Sequence, residues 1–248
     1  MPSPKTLVTG AASGIGRATA ELLAAKGHQL VLVDIDDLGA VLADNGNVTR
    51  LAGDVSSEAF WTGCEARLAG LTHAVVNAGV SGSALIEELE LSEWRRVMAV
   101  NLDGAFLTLR SAMRALKSGS GPRAIVLTAS VAGIKPEPGI AAYGASKAAV
   151  IQLARVAAKE VAAAGIRVNA IAPGGVDTPI WDDMPFFAGL IASEGSREAA
   201  MKALAGMATP IGRYASADEV AAQIAFLLSE AAANITGAVL TSDGGYSL

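Results

Sequence analysis

Two hydrophobic patterns alternate through the chain. Short β-branched or leucine-rich runs recur at Thr6–Thr9, Leu30–Val33, Val48–Leu51, Ala74–Val76, Ala124–Thr128, Ile166–Ile171 and Ala238–Thr241, and each reads as a buried strand. Between them lie longer segments with helical periodicity, at Ile15–Lys26, Ser57–Leu68, Ser92–Leu116, Ala145–Ala163 and Ala217–Leu228. Strands apolar on both faces must be covered on both faces, and strand–helix–strand connections close right-handed onto a parallel sheet. The expected fold is therefore α/β: a doubly wound, seven-stranded parallel sheet with helices on both faces, built as one domain from residue 1 to 248. The stretch Thr178–Thr209 breaks the alternation, being long, mixed and interrupted by Pro179, Pro185 and Gly189. It is expected to form a mobile cover, a substrate lid over 178–209.

Composition narrows the classes of partner. Hydrophobic residues make up 52% and aromatic residues 4%, with 27 glycines, so the apolar content is mostly small and aliphatic and suits close helix-on-sheet packing. The net charge is −5 with scattered basic residues, which argues against nucleic acid as a partner. The start, Met1-Pro-Ser-Pro-Lys5, has no apolar signal core and no apolar run reaches membrane-spanning length, so a cytoplasmic protein with no membrane contact is expected. The single Cys64 excludes an intrachain disulfide, and two histidines, His28 and His73, give no metal-ligand spacing.

The segment "TLVTGAASGIGRATAELLAAKG" is a strand, a turn with Gly10, Gly14 and Gly16, and an amphipathic helix. Its G-x-x-x-G-x-G spacing differs from the usual dinucleotide fingerprint, but the same physics applies. Glycines permit a tight turn and close backbone approach, and a helix N-terminus offers N–H groups and a positive dipole end to a pyrophosphate. Asp34 ends the next strand 18 residues beyond Gly16, which suits an acid accepting hydrogen bonds from an adenine ribose. Further along, "YGASKAAV" places Tyr143 and Lys147 one helical turn apart in a small, apolar stretch. This pair fits either an ordinary amphipathic helix with a snorkelling lysine or a proton-transfer tyrosine whose pKa an adjacent ammonium lowers.

Over essentially its whole length the chain resembles the short-chain dehydrogenase/reductase family, in its short single-domain branch with a Rossmann-type fold. "TGAASGIG" is similar to the family's T-G-x-x-x-G-x-G turn, "GDV" (Gly53–Val55) to its adenine-contacting segment, and "VNAG" (Val76–Gly79) to N-N-A-G with Val76 in place of the first Asn. Asn101 in "AVNLDG", Ser130 in "TASVAG", and Tyr143 with Lys147 match the catalytic set, while "PGGVDT" (Pro173–Thr178) fits P-G-x-x-x-T and "ITGAVLTSDGG" resembles the closing segment.

The resemblance implies an NAD-dependent oxidoreductase interconverting a secondary alcohol and a ketone. Tyr143 would exchange the alcohol proton, Lys147 would lower its pKa and bind the nicotinamide ribose, Ser130 would hold the substrate oxygen, and Asn101 would fix a water chain. The cofactor would lie against Gly10, Ser13, Gly14, Ile15, Gly16, Asp34, Asp54, Val55, Asn77, Ala78, Gly79, Tyr143, Lys147, Pro173, Gly174, Val176 and Thr178. Asp34 favours NAD over NADP because a carboxylate repels a 2′-phosphate, although Arg17 could meet one. Trp181, Met184, Phe186, Phe187 and Leu190 either wall an apolar substrate site or pack the lid itself. The alternatives are an NADP-dependent 3-oxoacyl thioester reductase and a catalytically silent dinucleotide sensor. Finally, Ala145–Ala163 carries few charges, so Ala148, Ala149 and Ile151, with Leu102, Ala105, Phe106, Leu107 and Leu109, must be inside or form an apolar patch. A partner covering that patch, in a homotetramer, is expected.

Overall fold

Adjacent residues of the central strands point to opposite sides, and both members of each pair are buried. The computed structural model describes residues 3–39, 41–43, 46–182 and 184–248. Seven strands form one parallel sheet: β1 (Lys5–Thr9), β2 (Gln29–Asp34), β3 (Val48–Ala52), β4 (His73–Val76), β5 (Arg123–Thr128), β6 (Ile166–Pro173) and β9 (Val239–Ser242), in the order β3-β2-β1-β4-β5-β6-β9. Two-residue strands β7 (Val176–Asp177) and β8 (Ala215–Ser216) pair separately. Leu7, Val31, Ala74 and Ile125 face one apolar cluster, and Val8, Leu32, Val75 and Val126 face the other. Period-two burial on both faces is why these runs lack polar alternation. The expected doubly wound α/β sheet is the observed one.

The first cluster is closed by α2 (Glu58–Cys64), α4 (Ala105–Lys117) and α5 (Ala141–Val161), and the second by α1 (Gly14–Ala25) and α8 (Ala217–Leu228). The chain runs outward from β1 to β3, then returns to β4 on the other side of β1. That reversal opens a crevice at the carboxyl ends of β1 and β4, where ligands of open α/β sheets bind. Among the described residues no helix is long and apolar enough to cross a membrane.

One expectation needs correction. The helix expected over Ser92–Leu116 is α3 (Leu91–Met98), a π-helical turn at Ala99–Gly104, and α4, so one extra residue is accommodated around Asn101. Within 178–209, Pro179 opens a short 3-10 turn, Pro185 opens α6 (Pro185–Glu194), and α7 (Arg197–Ala208) follows. Proline interrupts a helix interior but starts a helix well, since the first turn has no N–H partners to lose. Of the residues that had to be inside or form an apolar patch, Ile151, Ala105, Leu107 and Leu109 are buried within the chain's own core, while Phe106 and Ala148, with Val156, stay exposed.

Candidate active site

Parallel strands deliver their carboxyl ends to one edge of the sheet, and the candidate residues collect there. At the end of β1, Gly10 and Gly14 adopt φ of +67° and +52°, a region that side chains rarely enter. A Cβ at Gly16 would lie 1.9 Å from the Gly10 carbonyl oxygen, so helix α1 starts almost in contact with the turn. Ser13 caps α1 without a side-chain hydrogen bond, and no acidic residue occupies the first turn, which leaves the N–H groups of Ile15 and its neighbours to an anion. The cradle fits a dinucleotide pyrophosphate.

Several residues expected to touch the cofactor also brace this cradle. Thr9 Oγ1 accepts the N–H groups of Asn77 (3.0 Å) and Ala78 (3.2 Å), and Asn77 Nδ2 donates to the Thr9 carbonyl at 3.1 Å. The β1 and β4 ends are thereby locked together across the crevice. Asp34 ends β2 with one carboxylate oxygen accepting the Ala12 N–H at 2.8 Å and the other the Asp36 N–H at 3.1 Å. It has lone pairs left for ribose hydroxyls. Arg17 is turned to Glu21 at 2.9 Å. Asp54 accepts the N–H and hydroxyl of Ser56, both at 2.8 Å, and the Val55 carbonyl receives the Trp61 indole N–H. On the opposite wall Pro173 ends β6, Gly174 donates to the Ser242 carbonyl, and the Val176 carbonyl receives the Trp181 indole N–H. Thr178 follows, its methyl packed where a Cβ on Gly14 would lie 3.3 Å away.

The polar group at the centre is built from three segments. Asn101, in the π-turn, is buried; its Oδ1 accepts the Val80 N–H at 2.8 Å, and its Nδ2 donates to the Val80 carbonyl at 2.9 Å and to Ser146 Oγ at 3.2 Å. It therefore bonds the loop after β4 rather than its own helix. Lys147 is buried and donates to the Thr128 carbonyl at 3.0 Å, and a Cβ at Gly79 would sit 3.2 Å from both its ammonium and Asn101 Oδ1. Glycine at 79 leaves room for both groups. Ser130 caps a one-turn 3-10 helix (Val131–Gly133) through the Ala132 N–H, and Gly133 packs onto the α5 backbone, where a Cβ would lie 2.7 Å from the Ala148 nitrogen. This contact brings Ser130 to Tyr143 in the first turn of α5.

Burial acts on the two titratable groups in opposite directions. It raises the Tyr143 phenol above its ordinary value, against a hydrogen bond with Ser130 that lowers it, and it lowers the Lys147 ammonium to about 8. The expectation that Lys147 depresses the tyrosine is not met. The ammonium is directed at Thr128 and lies 5.6 Å from the centre of the Tyr143 ring, and desolvation outweighs it. Ser146, whose hydroxyl donates to the Tyr143 carbonyl at 2.7 Å and receives Asn101, was missed by the sequence analysis. Its signal was a lone hydroxyl between Tyr143 and Lys147. Of the lid side chains, Phe187 is fully buried in a small core with Ala200 and Met201, Trp181 stacks on Tyr214 at 5.4 Å, and Phe186 is exposed. Phe187 and Trp181 thus pack the lid itself.

Comparison with known proteins agrees with this architecture. Residues 10–247 match the model of the family described as enoyl-(acyl carrier protein) reductase. The chain is 39% identical over 251 residues, spanning 97% of this chain and 95% of the other, to cis-4-hydroxycyclohexanecarboxylate dehydrogenase of Sinomonas cyclohexanicum. Among solved structures it is similar to the aldohexose dehydrogenase of Thermoplasma acidophilum (TM-score 0.87, 30% identity, 99% of this chain and 94% of that one). It is also similar to 3-ketoacyl-(acyl-carrier-protein) reductase of Brucella melitensis, crystallised with NADH (TM-score 0.83, 32% identity, 99% and 98%). By fold, by ordered motifs and by relatives matched end to end, the chain belongs to the short-chain dehydrogenase/reductase family.

Proposed function

We propose that the protein is an NAD(H)-dependent oxidoreductase that interconverts a secondary alcohol and a ketone, with Tyr143 as the acid/base. The observation that carries this reading is the convergence of Asn101, Ser130, Tyr143 and Lys147 at the carboxyl edge of the sheet beside the Gly10–Gly16 cradle. A bound nicotinamide dinucleotide supplies the hydride acceptor or donor. Ser130 holds the substrate oxygen while Tyr143, as phenolate, takes its proton in oxidation and, as phenol, donates it in reduction. Such acid–base catalysis is worth about 10²–10⁴-fold. Lys147 binds the nicotinamide ribose, and its lowered proton affinity suits it to relay the proton onward, its ammonium held by the Thr128 carbonyl. Asp34 receives the adenine ribose hydroxyls, and the pairing of Arg17 with Glu21 removes the nearest argument for a 2′-phosphate.

The Sinomonas relative, named for a ring alcohol, supports a cyclic secondary alcohol as substrate class. Residues 178–209 serve as the lid, and exposed Phe106 and Val156 support a homotetramer. A second reading, reduction of 3-oxoacyl thioesters, draws on the name of the Brucella relative. Arg197 and Arg213, the arginines of this region, are each paired with carboxylates, which disfavours a phosphate-bearing carrier. The deciding experiment incubates the pure protein with NAD⁺ or NADP⁺ and a panel of secondary alcohols, and separately with NADH and 3-oxoacyl thioesters, following reduced-dinucleotide absorbance. Turnover of alcohols with NAD⁺ is expected; higher efficiency with NADP⁺ or with thioesters would overturn the assignment.

A further inference from the structure

The residues after β9 fold back as a built turn. The Asp243 carboxylate accepts the N–H groups of Gly245 (2.9 Å) and Ser247 (2.8 Å), and Gly244 and Gly245 adopt φ of +62° and +87°. One flank of the turn grips the exit of the lid: the Ile211 N–H donates to the Gly244 carbonyl at 3.1 Å, and a Cβ on Gly244 would lie 2.6 Å from the Ile211 side chain. The other flank reaches across the sheet edge through Tyr246. Its hydroxyl donates to Glu137 at 2.5 Å, its carbonyl accepts from the Lys135 ammonium at 3.1 Å, and that ammonium stands 3.8 Å from the centre of its ring. Lys135 and Glu137 also pair with each other at 3.4 Å.

Lys135 and Glu137 lie midway along the link from Ser130 to Tyr143. The ends of that link are fixed, one by β5 and one by α5, but its middle has no regular structure. On one side Pro136, Glu137 and Pro138 border a cavity of about 690 Å³ shared with Ile86 and Ile140, so packing there does not brace the link. The far end of the link is tied to the loop after β4, where the Gly139 carbonyl accepts the Ala84 N–H at 2.8 Å, and Tyr246 holds the stretch from Lys135 to Glu137. We propose that Tyr246 is a positioning residue: with Lys135 and Glu137 it pins the link between Ser130 and Tyr143, and so sets how the two hydroxyls face each other. The role in turnover rests on the oxidoreductase reading; the anchor itself does not.

The test combines hydrogen–deuterium exchange with steady-state kinetics on the full chain. Tyr246→Phe keeps the ring on Lys135 and removes only the bond to Glu137. It should speed exchange at the Ile134 and Lys135 amides, both bonded to the Val131 carbonyl at 2.8 Å. It should also lower kcat about tenfold, with the dinucleotide Kd unchanged because the cradle is braced separately by Thr9 and Asn77. Glu137→Ala should give the same loss, the double variant no more than either, and Glu137→Gln, which keeps an acceptor oxygen, should recover most of it. Unchanged exchange would overturn the anchor. Faster exchange with unchanged kcat, or an equal loss of dinucleotide binding, would overturn the positioning role. Absence of turnover in the unaltered protein would count against the oxidoreductase reading, and exchange would still decide the anchor.

Discussion

Lys147 is buried and Tyr143 partly so, and desolvation works against the charged form of each. The phenol is held above its ordinary value and the ammonium near 8, so close to neutral pH the pair has a neutral tyrosine beside a lysine that readily gives up its proton. A neutral tyrosine is a proton donor, the form that reduction of a ketone uses, and a lysine one turn away can return the proton to it. Tyr143→Phe removes the transferring oxygen while leaving the ring and Lys147 in place. Turnover should fall at least about 10²-fold with dinucleotide binding retained, read from kcat and from quenching of protein fluorescence by NADH. Gly16→Ala acts on the other half of the site. Its methyl would meet the Gly10 carbonyl at 1.9 Å, backbone against backbone, with no flexible side chain to yield. Dinucleotide binding should be lost and stability reduced by about 2 kcal/mol, measured by urea unfolding.

Strands and helices carry their own liabilities, and the most titratable lies far from the site. His73, at the start of β4, is buried beside His28, with ring centroids 5.8 Å apart, and near Arg167; burial and these two neighbours lower its pKa to about 4. The unfolded chain takes up this proton near pH 6.5, whereas the folded chain resists it to about 4. Between those values the unfolded state binds more protons, so stability falls as pH falls, by roughly 3 kcal/mol across the whole window. Urea midpoints should drop steadily from about pH 6.5 to 4, and His73→Gln should flatten much of that slope. In the lid, Arg197 at the start of α7 pairs with Asp177 (2.6 Å) and Asp182 (2.9 Å) and donates to the Thr178 carbonyl at 3.1 Å. One guanidinium thus ties α7 to the Asp177–Asp182 segment, whose Thr178 packs near Gly14. Single exposed ion pairs are weak, but a forked group with three partners on one segment restricts motion. Arg197→Leu should raise KM for alcohol several-fold, with melting temperature changed by only a few degrees.

For the molecule as a whole, the proposed homotetramer would be built through the outer face of α4 and α5. Most of its apolar residues are absorbed by the chain's own core, leaving Phe106, with Arg110 over its ring at 5.3 Å, and Val156 exposed. Light scattering at micromolar concentration should give a mass near 100 kDa, four times the 25.0 kDa chain. A stable 25.0 kDa species would refute the oligomer. Phe106→Glu should shift the distribution toward smaller species, since a carboxylate in the contact would lose its hydration without a partner.

Alternation of strands and helices and the glycine turn with Asp34 were legible because each rests on local chemistry, whereas Asn101, Ser130, Tyr143 and Lys147 were picked out as a set only through the resemblance to a family. Period-two burial marks a strand wherever it pairs, and a turn that needs φ above zero needs glycine in any fold. What only the tertiary structure decided depends on segments distant in the chain. Asn101 serves the loop at Val80, 21 residues away, which no helical spacing announces, and the extra residue of the π-turn is what lets it do so. The direction of the Tyr143 shift depends on burial by the whole fold rather than on the lysine one turn away. Ile151 and Leu107 are apolar in either setting, and whether the core or a partner covers them is settled by how helices pack on the sheet. The bond between Tyr246 and Glu137 spans 109 residues and joins two surface-like segments that carry no periodicity at all. Sequence patterns report local conformation and burial; the pairing of distant polar groups arises only when the sheet has brought its edges together.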